Sequence, residues 1–154
     1  MGIRKANIED CTELTKVRIE MRKERETEGL NENPQTFYDN TYNYFKENIQ
    51  NGSFVAFVAV EKDEIISTSG LCFYTVPPTY GNTNGLVAYI MNMYTKPQYR
   101  KQGIASQLLD CIVNEAKSKN CTKVTLNASE MGKPLYQKYG FKDLQNEMVY
   151  YIKD

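Results

Sequence analysis

Ala105, Leu108, Leu109, Ile112, Val113 and Ala116 recur at the spacing of one helical face and predict the clearest helix of the chain. A second helix is predicted by Ile8, Cys11, Leu14, Val17 and Met21, with Asn7 as its N-cap and Glu9 and Asp10 in the first turn, where the dipole favours acids. Its other face carries Arg18, Arg22, Lys23, Glu24, Arg25, Glu26 and Glu28, a mixed-sign run that reads first as a solvated surface. A third helix spans 37–50 through Tyr38, Tyr42, Phe45 and Ile49, and Asn51-Gly52 ends it. Residues 29–35 between these helices read as a loop closed by Pro34.

Shorter apolar runs predict strands at 2–6, 53–62, 65–76, 86–95 and 121–127. Asp63-Glu64 marks a hairpin, and 77–85 is a turn-rich loop. The helix after residue 104 returns the chain so that 86–95 and 121–127 pair in parallel. Pro134 and Gly140 bracket a short helix. Residues 141–144 and 148–152 are expected to close the sheet as an antiparallel pair.

Composition narrows the function. The 154 residues contain 19 basic and 19 acidic side chains, and a formal charge of zero argues against bulk binding to nucleic acid or an anionic membrane. The longest apolar run, 54–60, is too short to span a bilayer, and no signal peptide is legible, so a cytoplasmic protein is expected. With no histidine, Ser-His and Cys-His couples are excluded, and zinc would need scattered thiolates and carboxylates. Cys11, Cys72, Cys111 and Cys121 show no paired spacing; Cys11 and Cys111 fall on apolar helical positions and read as reduced core residues.

The densest chemical signal lies at 93–106, MYTKPQYRKQGIAS. A strand, a basic turn and a helix follow one another there. The first amides of such a helix have no partner within it, and the dipole adds partial positive charge behind them. A terminus of this kind takes a phosphate. Arg100-x-x-Gly103-x-Ala105 adds cationic side chains and small residues where a backbone must come close to a diphosphate.

This stretch resembles the acyl-CoA binding motif, Arg/Gln-x-x-Gly-x-Gly/Ala, of the GNAT N-acetyltransferases. Met93-Tyr94-Thr95-x-Pro97-x-Tyr99-Arg100 precedes it, and Leu135-Tyr136-Gln137-Lys138-Tyr139-Gly140-Phe141 matches the family's Leu-Tyr-x-x-x-Gly-Phe signature downstream. The resemblance covers nearly the whole chain. It implies an α+β fold in a single domain over 1–154: a mixed, mostly antiparallel sheet with one splayed parallel strand pair and flanking helices.

It also implies acetyl-CoA as co-substrate and no metal. The backbone of Met93, Tyr94 and Thr95 would pair with the pantetheine arm. Arg100 and the amides of Lys101, Gln102, Gly103, Ile104, Ala105 and Ser106 would hold the pyrophosphate. Asn127 would bond the cofactor, and Tyr136 would hydrogen-bond and protonate the leaving sulfur. A backbone N–H near Met93 or Tyr94 would meet the charge that develops on the thioester oxygen. The implied reaction is acetyl transfer to a primary amine, small molecule or peptide, by direct attack in a ternary complex; a homodimer is left open.

The base is not legible. The strand LVAYIMNMYT lacks the carboxylate that many relatives carry there, and Asn92 cannot take a proton. Glu24, Glu28, Glu32 and Asp39 are the candidates on the acceptor side. Tyr74, Tyr80, Tyr89 and Tyr94 offer an aromatic wall for a cationic amine. Cys72 is the one nucleophile candidate. A non-catalytic acyl-CoA sensor stands as the rival, favoured by the missing carboxylate and opposed by Tyr136.

Overall fold

The computed structural model describes residues 1–26 and 33–152. Five strands form one sheet in sequence order, β1 (Gly2–Lys5), β2 (Phe54–Glu61), β3 (Glu64–Thr75), β4 (Leu86–Thr95) and β5 (Val124–Leu126). Neighbours pair antiparallel except β4 and β5, which pair in parallel. The helices are α1 (Cys11–Arg25), α2 (Pro34–Asn51), α3 (Ile104–Ser118) and α4 (Lys133–Tyr139). This is the mixed sheet with one parallel pair and flanking helices that the sequence implied.

Side-chain alternation along the strands builds a core on each face of the sheet. Leu14, Val17 and Met21 of α1 and Phe45 of α2 pack with Phe54, Ala56, Val58, Ile65 and Tyr94 on one face. On the other, Leu109, Ile112, Val113 and Ala116 of α3 meet Leu71, Ala88, Ile90, Met93 and Tyr136. Leu108 and Ile104 cover Ala59 and Ile66 beside them. Leu108, Leu109 and Ile112 are fully buried, and each contributes about 1.5–3 kcal/mol on leaving water.

Local boundaries depart from expectation in ways the backbone explains. Asn7 caps a 3₁₀ turn at Ile8–Asp10, and α1 starts only after it. Pro34 lies inside the first turn of α2 rather than closing a loop, because Asn33 caps there. The β2–β3 hairpin turns on Lys62 and Asp63, both at positive φ, one residue earlier than Asp63-Glu64. β5 pairs over Val124–Leu126, shorter than 121–127. All four cysteines are free; Cys11 is buried as expected, whereas Cys111 is only half-buried.

The antiparallel pair expected at 141–152 is absent: that segment forms no strand. Leu144, Met148, Tyr150 and Ile152 point into solvent. Two short runs split by Gln145-Asn146-Glu147 have no helix or sheet face to cover them, and an isolated strand pair is marginal in water. Among the described residues no helix is long and apolar enough to cross a membrane.

Candidate active site

β4 and β5 are paired only from Ala88↔Val124 to Ile90↔Leu126. Beyond Ile90, β4 continues to Thr95 while the other chain leaves through Asn127, so the two strands part as a wedge. The register between β3 and β4 slips at this point. Asn92, with φ of 60°, is the extra residue of a β-bulge. Asparagine tolerates that left-handed conformation, and its side chain is held by the hydroxyl of Thr68 at 3.1 Å and the guanidinium of Arg18 at 3.3 Å. Met93 and Tyr94 follow, packed on opposite faces of the sheet.

Pro97–Tyr99 form a 3₁₀ turn that carries the chain from β4 to the start of α3. Lys101 (φ 61°) and Gly103 (φ 78°) both adopt the left-handed conformation, so successive amides of the turn face one way. Gly103 is the N-cap of α3, with no side-chain cap and no acid in the first turn. The first helical bond runs from Gln107 N–H to the Gly103 carbonyl. Among the described residues, the amides of 101–106 donate to no carbonyl and no side chain. A Cβ on Gly103 would meet nothing within 4 Å. Glycine is needed here for φ, and the space in front of the turn is open.

These amides border a cavity of about 430 Å³ lined by Arg25, Met93, Tyr94, Thr95, Tyr99, Arg100, Lys101, Gly103, Ile104, Ala105, Ser106, Ser129, Met131, Gly132 and Leu135. Of the residues expected to bind cofactor, only Gln102 and Asn127 lie outside this lining; Gln102 turns back toward the Gln98 carbonyl. A groove with unpaired amides at one end and an unpaired strand along its side suits a diphosphate carrying an extended amide-bearing arm.

The free side of β4 is not bare, however. Arg25 donates to the Met93 carbonyl at 2.7 Å and Arg100 Nε to the Thr95 carbonyl at 2.9 Å. Arg100 also stacks over the Tyr94 ring, 5.5 Å from its centre, and pairs with Glu24 at 2.7 Å. Tyr94 donates its hydroxyl to the same carboxylate at 2.9 Å. Burial would raise the Glu24 carboxyl, but the hydrogen bonds from Arg100 and Tyr94 outweigh it and hold the group below its ordinary value. Burial and Glu24 together push the Tyr94 phenol up to about 12. Glu24 is therefore a structural anion and a weak base, which removes it from the candidates. Asp39 is exposed and accepts from Gln35. Glu28 and Glu32 lie outside the described residues.

Tyr136 sits on α4 with its ring buried in the same cluster as Met93, edge-on to Phe141 at 5.8 Å. Pro134 and Gly140 bracket the helix as the sequence indicated. Burial raises the Tyr136 phenol and Arg25 opposes the rise, so the hydroxyl keeps its proton at neutral pH. Tyr136 faces a second cavity, of about 590 Å³, that also takes in Asn127, Tyr74, Tyr89, Asp143 and Glu147. The expected aromatic wall reduces to Tyr74 and Tyr89: Tyr80 is fully exposed, and Tyr94 is committed to Glu24. Asp143 and Glu147 are carboxylates that sequence reading missed, since nothing in 141–152 tied them to a site. Cys72, with its thiol pushed up by burial, is no activated nucleophile.

The acetyltransferase (GNAT) domain profile matches residues 21–150. A predicted acetyltransferase from Clostridium acetobutylicum, solved with acetyl-CoA, superposes with a TM-score of 0.90 at 36% identity, covering 97% of this chain and 95% of that one. A GCN5-related N-acetyltransferase from Ralstonia eutropha shares the fold with a TM-score of 0.84 at 24% identity, covering 98% and 97% of the two chains. Glucosamine 6-phosphate N-acetyltransferase of Trypanosoma brucei brucei is 30% identical over 73 residues, 47% of this chain and 50% of that protein. The bovine thialysine N-epsilon-acetyltransferase is 32% identical over 69 residues, 43% and 41% of the two. The chain thus spans half or less of the curated relatives it matches. A profile match over most of the chain, on a sheet that splays beside an uncapped glycine turn, shows that this protein belongs to the GNAT acetyltransferase family.

Proposed function

We propose that the protein is an N-acetyltransferase that moves the acetyl group of acetyl-CoA to a primary amine by direct attack. The observation that carries this reading is the row of unpartnered amides at 101–106, opening onto the wedge where Met93 and Tyr136 share one cluster. The reading is supported by the similar clostridial protein solved with acetyl-CoA, and by relatives whose acceptors are an amino sugar phosphate and an amino acid.

In this reading the amides of Lys101, Gln102, Gly103, Ile104, Ala105 and Ser106 receive the pyrophosphate, with helix α3 behind them. Arg100, braced by Glu24, adds charge at the rim. The pantetheine arm runs along β4, so its amides share or displace the guanidinium contacts on the Met93 and Thr95 carbonyls. Asn127, at the exit of β5, bonds the same arm. A backbone N–H released by the bulge at Met93 or Tyr94 meets the negative charge that grows on the thioester oxygen. Tyr136, neutral and buried, donates its proton to the departing sulfur.

The amine must shed a proton first. An alkylamine with a pKa near 10.4 costs roughly 4–5 kcal/mol to deprotonate at pH 7. Glu147, on the cavity that Tyr136 faces, is the carboxylate we assign to receive that proton, directly or through water; Asp143 beside it is paired with Lys133 at 3.3 Å. The free thiols suit a reducing compartment such as the cytoplasm.

Calorimetry with acetyl-CoA, run beside a thiol-release assay over a panel of amines, tests the proposal. Binding with amine-dependent thiol release is expected. Binding without release for any amine leaves the sensor reading in its place, which the engaged state of Glu24 would then explain.

A further inference from the structure

α1 carries Arg18, Arg22 and Arg25 on one face, and Arg18 and Arg25 both reach β4 at its bulge. Arg22 pairs with Glu26, and Arg25 donates to the Met93 carbonyl. Arg18 is different. It is half-buried between α1, α2 and the sheet, and among the described residues no carboxylate pairs with it. Among the described residues its guanidinium, with five N–H donors, donates to the Asn92 amide oxygen alone, at 3.3 Å.

Among the described residues, no anion beside Arg18 neutralises it. Tyr44 and Cys72 stand beside it in mutual contact at 3.4 Å, and Cys72 touches the Met91 sulfur at 3.3 Å. Burial holds both the phenol and the thiol in their neutral forms. Burial also works against the Arg18 charge, and Arg22 and Arg25 add repulsion. A guanidinium withdrawn from water without an anion is unfavourable on its own. Its acceptor Asn92 immediately precedes Met93 on β4, so the guanidinium lies on the α1 side of the wedge.

We propose that Arg18 is the specificity residue of the acceptor site and that the acceptor is a primary amine bearing an oxyanion, a carboxylate or a phosphate, which Arg18 grips. This rests on the acetyltransferase reading above and narrows it. The anion supplies the charge that Arg18 lacks. The planar fork binds a carboxylate or phosphate through two parallel hydrogen bonds, which fixes orientation as well as charge. An oxyanion anchored beside Asn92 leaves the amine end of the same molecule free to reach the wedge at Met93. Neutral and purely cationic amines gain nothing there, and a polycation is repelled by the arginine row.

The test uses matched acceptors that differ only in the anion: an amino sugar against its phosphate monoester, and an ω-amino acid against its carboxamide. Thiol release from acetyl-CoA is followed for the wild type, Arg18→Gln and Arg18→Lys, with acetyl-CoA affinity measured for each. In the wild type, one of the two anionic compounds is expected to exceed its neutral partner in kcat/KM by roughly 10- to 100-fold. Which pair shows the preference tells carboxylate from phosphate. Arg18→Gln should erase the preference through KM while acetyl-CoA affinity is retained. Arg18→Lys should restore part of it.

Inorganic phosphate should compete with the amine in the wild type and not in Arg18→Gln. Equal turnover of both members of each pair by the wild type, a reading that needs no variant to fold, overturns the proposal and leaves the acetyltransferase reading standing. A preference that survives Arg18→Gln overturns it as well. Acetyl-CoA binding with no turnover of any amine overturns both.

Discussion

Gly103→Ala separates what the glycine turn does for the fold from what it does for a ligand. Gly103 has φ of 78° and ψ of 7°, the left-handed well that an L-residue enters at a penalty of about 1–2 kcal/mol. The added methyl meets nothing within 4 Å, so strain is the only loss in the free protein. For a chain of this size that predicts a fall in Tm of about 2–8 °C. Lys101 already bears the same conformation two residues earlier, which shows the turn tolerates such strain. The ligand should fare worse. The methyl stands in the open space where a diphosphate would lie, and any relaxation of φ turns amides away from it. Each charge-assisted hydrogen bond lost is worth about 1.5–3 kcal/mol, or roughly 10- to 150-fold in Kd. Calorimetry with coenzyme A, beside a thermal melt of the same preparation, gives both numbers. A Kd within twofold of wild type, together with the expected small drop in Tm, would refute the idea that this turn holds the diphosphate.

Three further outcomes follow from the geometry. Tyr136→Phe removes a buried hydroxyl while leaving the ring in its cluster, so acetyl-dependent thiol release should fall by about 100-fold or more with coenzyme A affinity unchanged; an unaltered kcat would take Tyr136 out of the reaction. Asp10 is held below the ordinary carboxylate value by its two bonds from Arg4, burial opposing, with the Asn7 amide assisting. Its contribution to stability is therefore full above the unfolded pKa near 3.9 and lost as pH falls through the lower folded value, and urea midpoints from pH 6 to 2 should fall less steeply in Asp10→Asn than in wild type. Leu109→Ala empties a fully buried site between α3 and the sheet and should destabilise by about 2–5 kcal/mol in urea unfolding, with turnover per folded molecule retained.

The elements most legible in the sequence were those whose signal is local. The apolar stripe of α3, the Pro134 and Gly140 bracket of α4, and Gly103 at the head of α3 each depend on a few adjacent residues and backbone preferences. The turn of amides was legible for the same reason. The β4 bulge was not, because Ile90-Met91-Asn92-Met93 reads as an unbroken strand until the pairing with β3 is seen. The engagement of Glu24 by Arg100 and Tyr94 joins residues some 70 positions apart, and no periodicity reports such a meeting. Residues 141–152 misled in the opposite sense. Their β-prone side chains suit strands, but β-propensity describes fit to a partly covered surface, and here none is supplied.

Asn92 makes the phase of β4 hang on one backbone angle. Because one residue there steps out of the pleat, the half of the strand that serves the sheet and the half that serves the wedge are in opposite phase. Flattening that step while keeping every residue would make the strand one uninterrupted zigzag, throwing the Met93 side chain among the α1 residues and the Tyr94 phenol toward α3, far from Glu24. A β-branched residue at position 92, which resists the left-handed backbone that the step requires, would thereby dismantle the brace behind Arg100 without altering any amino acid that touches it.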